Sequence, residues 1–159
     1  MSLFQLSKKT KAKFINWYAP YLGAGIRIRE TNEHLTYFVS EMKLSWFNKN
    51  VKGVHFGGSL YAMCDPFYMW ILMENLGSEY IVWDKAASIQ FKKPGTGTVS
   101  AIFHISEPEI EQIRKEVNTI GRNDYIFKTV ITNQDGQIVA EVEKTVYVRK
   151  KNFERRSKI

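Results

Sequence analysis

The sequence predicts an α+β domain in which one antiparallel β-sheet surrounds a single buried helix. From residue 79 onward, apolar and polar residues alternate in strand-length runs that are separated by segments containing Gly, Pro or Asn. Before them lies one run, Phe56–Leu76, that is apolar on nearly every side and rich in helix formers. A helix of that kind must be buried. The length, 159 residues, is that of one domain.

The composition indicates a folded chain. Hydrophobic residues make up 44% of the sequence and aromatic residues 14%, which supports a sizeable core and excludes disorder. The single cysteine, Cys64, excludes a disulfide scaffold and fits a reducing, cytoplasmic compartment. The first residues lack the pattern of a secretory signal. The apolar stretch Val54–Met73 is interrupted by Asp65-Pro66, so we expect no membrane span.

The net charge of +7 is concentrated at the two ends of the chain. Residues 1–19 carry four lysines and no acid, and residues 149–159 carry six basic groups against one acid. Because the body between them is slightly acidic, the fold is not expected to present a basic groove to nucleic acid. We divide the chain into an N-terminal helix and lead-in (1–24), a sheet-and-helix domain (25–149) and a basic C-terminal tail (150–159).

The N-terminal part predicts a helix followed by two strands. Lys8–Tyr18 has apolar residues against a lysine-rich side, as in an amphipathic helix, and we expect it to end at Pro20 and Gly23. β-Forming residues then predict strands over residues 25–31 and 35–44.

Proline complicates the central helix. Gly77 is the expected C-cap at its end. Pro66 has no backbone N–H, so the helix either kinks there or begins there with Asp65 as its N-cap. We favour a kinked helix that begins at about Gly58 and ends at Leu76.

Two hairpins are predicted after the central helix. A strand ends at residue 91, and residues 92–97 have the Pro and Gly of a turn before the next strand at 98–105. The apolar residues expected on one face of the first strand are Ile81, Trp83, Ala87, Ile89 and Phe91.

The second hairpin follows a short helix over Glu109–Val117. Strands over Tyr125–Thr132 and Ile138–Val148 flank Asn133-Gln134-Asp135-Gly136, a strong turn signal. The last strand has one apolar face, interrupted only by Lys144 and formed by Ile138, Ala140, Val142, Val146 and Val148.

A motif precedes and enters the central helix. Val54-His55-Phe56-Gly57-Gly58 follows a polar loop, and Asp65 comes seven residues after the second glycine. This pattern resembles the hotdog-fold acyl-CoA thioesterases, and among them an uncharacterised branch related to the phenylacetate-pathway type. The resemblance covers residues 25–149. It implies a curled antiparallel sheet around the helix, and a homodimer or homotetramer with sites shared between subunits.

The residue types of the motif suit thioester hydrolysis. A helix N-terminus offers unpaired backbone N–H groups, and Gly57 and Gly58 leave room for a carbonyl to approach them. The resemblance implies that Asp65 is the base or nucleophile and that these glycines polarise the thioester. It also implies that Asn50 orients water or substrate. His55 is a further candidate, although the family has a histidine directly before the glycines and Phe56 intervenes here.

Structural roles compete with each of these assignments. Asp65 is an N-cap in the alternative interpretation, and the two glycines only permit close packing. His55 is then a structural hydrogen-bonding residue, and Asn50 is a turn residue. Cys64 lies in an apolar segment, which favours an inert buried thiol over a nucleophile. No His or Cys lies at metal-ligand spacing, so no metal site is predicted.

The predicted function is hydrolysis of an acyl-CoA, with no cofactor beyond the coenzyme A of the substrate. The coenzyme A phosphates would lie against Lys92 and Lys93, or against Arg149 and Lys150. The aromatic and methionine side chains of the central helix suit either an acyl tail or the core. The alternatives are a non-catalytic module that binds acyl-CoA or fatty acyl groups, and a hotdog-type dehydratase in which His55 pairs with the acid.

Overall fold

The computed structural model describes residues 14–153. Six strands form one antiparallel sheet in the order β1-β2-β4-β5-β6-β3, which confirms the predicted α+β class and the curled sheet around a central helix. The strands are β1 Ile26–Thr31, β2 Tyr37–Lys43, β3 Tyr80–Phe91, β4 Thr98–His104, β5 Arg122–Asn133 and β6 Ile138–Lys150. The helices are α1 Ala19–Ala24, α2 Gly57–Ala62, α3 Phe67–Leu76 and α4 Glu107–Ile120.

The central helix is broken rather than kinked. α2 and α3 are separated by a turn over residues 63–66, so the kinked helix that we favoured from about Gly58 to Leu76 is instead two helices. Pro66 cannot donate to the carbonyl of Ala62, and the hydroxyl of Tyr21 approaches that carbonyl at 3.3 Å instead. The hydroxyl of Ser40 donates to the carbonyl of Met63 at 2.8 Å. These two long-range bonds satisfy carbonyls that the break leaves exposed.

The core lies between α3 and the concave face of the sheet. Phe67, Ile71 and Leu72 of α3 are fully buried. The ring of Phe67 stacks on Phe103 of β4 at 4.5 Å between centroids, and it also contacts Phe38 of β2 at 5.2 Å. These aromatic contacts hold α3 against the sheet and so fix the position of the turn that precedes it.

Residues 92–97 do not form a hairpin turn. β3 pairs with β6 at the edge of the sheet, whereas β4 pairs with β2 and β5, so this segment crosses between distant strands. Pro and Gly indicate that the chain turns, but they do not specify which strands then pair. The second hairpin is confirmed. β5 pairs with β6 around a turn in which Asn133 Oδ1 accepts from the backbone N–H groups of Asp135 and Gln137.

A β-bulge reverses the predicted face of the first half of β3. The register with β6 shifts between Asp84 and Ala86. Before the bulge Tyr80 and Val82 are buried and Trp83 is 64% exposed. The prediction that Ile81 and Trp83 share one face with Ala87, Ile89 and Phe91 is therefore wrong. An extra residue in one strand exchanges its two faces, which plain alternation does not show. The bulge places Asp84 on the same inner face as Lys144 of β6.

The N-terminal helix also differs from its prediction. The predicted segment Lys8–Tyr18 lies largely outside the described residues. Pro20 lies in the first turn of α1 and does not end a helix, because the first turn needs no backbone donor at that position. Within residues 14–153, no helix is long and apolar enough to cross a membrane.

Candidate functional site

Asp65 lies in the turn between α2 and α3, where it forms long-range contacts. Its Oδ1 accepts hydrogen bonds from the hydroxyl of Tyr61 at 2.7 Å and from the ammonium of Lys144 at 2.9 Å. Its Oδ2 has no hydrogen-bond partner among residues 14–153. The side chain is 50% exposed, although the apolar run that contains it is largely buried. It is not an N-cap either, because Pro66 occupies that position without a side-chain bond.

Lys144 is the buried cation of the site. Its side chain is only 1% exposed, and its Nζ lies 3.0 Å from Oδ2 of Asp84 and 3.1 Å from the hydroxyl of Tyr61, in addition to its bond to Asp65. Burial acts to lower the pKa of this ammonium, but the hydrogen bonds to Asp65, Tyr61 and Asp84 outweigh burial and raise the pKa overall. Lys144 is therefore positively charged at neutral pH.

Asp84 and Tyr61 complete this group. Burial raises the pKa of Asp84 above its usual value, although Lys144 opposes the change. The Oδ1 of Asp84 is buried and has no hydrogen-bond partner within the described part of the chain. Burial, followed by the hydrogen bond to Asp65, raises the pKa of Tyr61, so its phenol keeps its proton. We refer to Tyr61, Asp65, Asp84 and Lys144 as the acid–lysine cluster.

An apolar cavity of about 720 Å³ adjoins Asp65. It lies between the N-terminal segment 14–21 and the outer side of α2 and α3, and Tyr61 and Asp65 are among the residues that line it. Its other lining residues include Trp17, Tyr18, Met69, Trp70 and Met73. Phe67 and Tyr68 belong to the core and do not line the cavity, whereas Trp70 belongs to both. A cavity of this size and lining can hold an apolar group of a small ligand beside the carboxylate.

The two glycines lie under aromatic rings at the start of α2. A side chain at Gly58 would place its Cβ 2.4 Å from the ring of Phe56, and one at Gly57 would place it 3.0 Å from the ring of Phe91. Their N–H groups precede the first helical bonds, which run to the carbonyl of Phe56. The glycines therefore permit close packing and also leave two backbone donors outside the helical ladder.

His55 and Asn50 hold the loop before α2. His55 is 2% exposed, and its Nε2 donates to the carbonyl of Gly97 at 3.0 Å. Burial lowers the pKa of His55, although this hydrogen bond opposes the change. Asn50 Oδ1 accepts from the backbone N–H groups of Lys52 and Val54. Among the described residues, neither side chain is hydrogen-bonded to the acid–lysine cluster.

The predicted basic pairs lie at opposite ends of the β3–β6 ribbon. Lys92 and Lys93 follow β3, and Lys92 pairs with Glu141 at 2.9 Å. Arg149 and Lys150 end β6, where they lie opposite the first residues of β3. Lys92 and Lys93 begin the segment 92–97 that contacts His55, whereas Arg149 and Lys150 lie at the other end of the ribbon.

Comparisons with known proteins agree with this architecture. Residues 7–148 match a family described as a domain of unknown function, DUF4442. The chain belongs to the DUF4442 family. No curated protein matches it.

Solved structures similar to this DUF4442 protein share its fold. A Pseudomonas aeruginosa protein of unknown function, described as a probable thioesterase, is 18% identical with a TM-score of 0.81, covering 91% of this chain and 97% of that chain. A Haemophilus influenzae thioesterase is 16% identical with a TM-score of 0.64, covering 97% and 94%. A Chlorobaculum tepidum protein of unknown function is 18% identical with a TM-score of 0.71, covering 94% and 97%. These likenesses confirm the hotdog fold.

Three members of the acid–lysine cluster were missed in the sequence of this DUF4442 protein. Lys144 had a signal, since a lone charge on an apolar strand face needs a buried partner. Tyr61 is four residues before Asp65 on a helical segment, a spacing that brings side chains together. Asp84 had no signal, because the bulge that places it on the inner face of the sheet cannot be recognised from the alternation.

The structure also describes Cys64. Its thiol is fully buried, and burial raises its pKa. No group of metal ligands occurs among the described residues.

Proposed function

We propose that this DUF4442 protein hydrolyses acyl-CoA thioesters, with Asp65 as the base or nucleophile. The proposal rests on one observation. Tyr61 and Lys144 both bond Oδ1 of Asp65, while Oδ2 has no partner among the described residues and the side chain lines an apolar cavity. A carboxylate oxygen presented in this way can accept a proton from water or attack a carbonyl. The kinship with the phenylacetate-pathway type is a finer part of the same proposal, supported by the Gly-Gly and Asp65 spacing.

Two routes begin at Oδ2. As a base, Asp65 takes a proton from water, and the resulting hydroxide attacks the thioester carbon. The C–S bond then breaks, and the leaving coenzyme A thiolate takes up the proton from Asp65. As a nucleophile, Oδ2 attacks the carbon directly and expels the thiolate, and water then cleaves the mixed anhydride. In either route, the N–H groups of Gly57 and Gly58 would stabilise the negative charge on the carbonyl oxygen. Asn50 and His55 would support the loop that carries them.

Assembly is part of the proposal. β3 is a long strand at the edge of the sheet, and Trp83 and Phe91 on it are exposed. Unpaired strand edges favour pairing with another chain. We propose that two copies join at β3 in a homodimer, or two such dimers in a homotetramer, with sites shared between subunits. Light scattering that shows only an 18.5 kDa species at micromolar concentration would contradict this.

The test is a hydrolysis screen with acyl-CoAs of several chain lengths. Asp65→Asn keeps the size of the side chain but loses its basicity, so we expect turnover to fall by about 100-fold or more. Asp124→Asn is the matched control, because Asp124 also pairs with a lysine, Lys85, but lies exposed on β5. Unchanged turnover in Asp65→Asn would refute the mechanism.

One observation favours a non-catalytic acyl-binding module as the second candidate. The ion pair between Asp65 and Lys144 is also what a purely structural acid would make. Tight binding of acyl-CoA by calorimetry, with no turnover at any chain length, would select this alternative. No observation favours the dehydratase, since His55 makes no hydrogen bond with an acid within residues 14–153.

A further inference from the structure

We infer that Lys144 is a positioning residue that holds the carboxylate of Asp65 in place and leaves one of its oxygens free to react. The inference rests on the proposed function. Lys144 and Tyr61 donate to the same oxygen, Oδ1, at 2.9 and 2.7 Å. Rotation of the carboxylate would break both bonds, one of them charge-assisted. Oδ2 is therefore held in one orientation as the reactive oxygen.

Lys144 acts through Asp65 rather than on the substrate. Its side chain is 1% exposed and is absent from the cavity lining. It lies on the inner face of β6, paired directly with Phe127 of β5 and Ala87 of β3. A buried ammonium is costly in free energy without anionic partners, so Lys144 must stay paired with its two carboxylates. The sheet thus provides a rigid base for the turn that carries Asp65.

Asp84 competes with Asp65 for the same cation. Its Oδ2 lies 3.0 Å from Nζ of Lys144, so one positive charge serves two carboxylates. The negative charges of Asp65 and Asp84 also disfavour one another. Removing Lys144 and removing the charge of Asp84 should therefore have opposite effects on the ionisation of Asp65. A residue that only supports the fold would not produce that opposition.

The first test compares the pH dependence of turnover in three variants. In Lys144→Met, we expect kcat for acyl-CoA to fall by about 10- to 100-fold while KM changes little, since a small misplacement of a reacting group has effects of this size. The acidic limb of the profile should move to higher pH, because the cation no longer favours the anion. Lys144→Arg keeps the charge and should recover part of kcat. Asp84→Asn should move the acidic limb to lower pH.

The control is Lys128→Met, which removes a lysine paired with Glu143 at 3.1 Å on the outer, solvent-exposed face of the same sheet. It should leave both kcat and the pH profile unchanged. If Lys144→Met lowers activity without moving the acidic limb, Lys144 only supports the fold and the inference is wrong. If Lys144→Met does not fold, Lys144→Arg and Asp84→Asn carry the same test. An unmoved limb in Asp84→Asn would then overturn the inference.

A second readout needs no activity. The pH titration of the Asp65 side-chain carboxyl, followed by carbon NMR in the same variants, should shift upward in Lys144→Met and downward in Asp84→Asn. If the wild type hydrolyses no acyl-CoA, the proposed function fails, yet this titration still decides the role of Lys144. Identical titrations in all variants would show that Lys144 does not control Asp65.

Discussion

The loop before α2 and the turn after it differ in how their polar side chains are used. In the loop, Asn50 and His55 bond to backbone groups of their own loop and of the segment 92–97. In the turn, Asp65 bonds to Lys144 from a distant strand and keeps one oxygen without a partner among the described residues. Both regions stood out in the sequence. The difference teaches that a motif marks a place in the fold, while long-range contacts decide which of its groups can still react.

The largest expected effect separates the two regions by activity. Asp65→Asn should reduce turnover by about 100-fold or more. Asn50→Ala should reduce it by less than about tenfold, since the loss of a turn hydrogen bond costs about 1 kcal/mol, most of it in stability. The measurements are kcat from acyl-CoA hydrolysis and Tm of the folded variants. An Asn50→Ala protein that keeps its Tm but loses all turnover would show that the loop takes part in the chemistry.

A smaller effect concerns the coenzyme A end of the substrate. Replacing a pair of basic residues that contacts its phosphates should raise KM by about tenfold, the equivalent of about 1.4 kcal/mol. kcat should stay nearly the same, because the phosphates are remote from the reacting carbon. Because the two pairs lie at opposite ends of the β3–β6 ribbon, we expect this change in only one of two double variants. These are Lys92→Ala with Lys93→Ala, and Arg149→Ala with Lys150→Ala. An unchanged KM in both would show that neither pair meets the substrate.

The smallest expected effect is a change in how stability depends on pH, caused by His55 in the loop. Burial lowers the pKa of His55 in the folded protein, so unfolding takes up a proton and its contribution to stability is lost as the pH falls below about 6.5. His55→Gln keeps a donor near the Nε2 position and should weaken this dependence. Urea unfolding between pH 5 and 8 measures it. An identical pH dependence in the variant would show that other groups cause the acid loss.

Lys144 should give the opposite dependence at high pH. Its pKa is raised in the folded state, so the stability that it contributes is present below about pH 10.4 and is lost as the pH rises through the higher folded value. Urea unfolding between pH 10 and 12 should show this decline in the wild type and a weaker one in Lys144→Met. A decline of equal size in both proteins would assign it to other groups.

Much of the fold was accessible from local patterns. The alternation in β5 and β6 and the turn at Asn133–Gly136 are properties of neighbouring residues, and their hairpin was predicted correctly. The central helical segment was also predicted from a local property, because Phe56–Leu76 is apolar on nearly every side. The motif also placed Asp65, the residue that lies beside the cavity.

The pairing of β3 and the composition of the site depended on the tertiary structure. Pro and Gly at 92–97 were compatible with a hairpin, but β3 pairs with β6, a strand that follows only after β4, α4 and β5. A bulge at Lys85 then moved Asp84 to the inner face, beside Lys144. Strand pairing and bulges depend on contacts between distant segments, which period-two patterns along one strand do not contain. For this reason the sequence alone identified Asp65 as the candidate acid, whereas only the tertiary structure showed that Lys144 binds it.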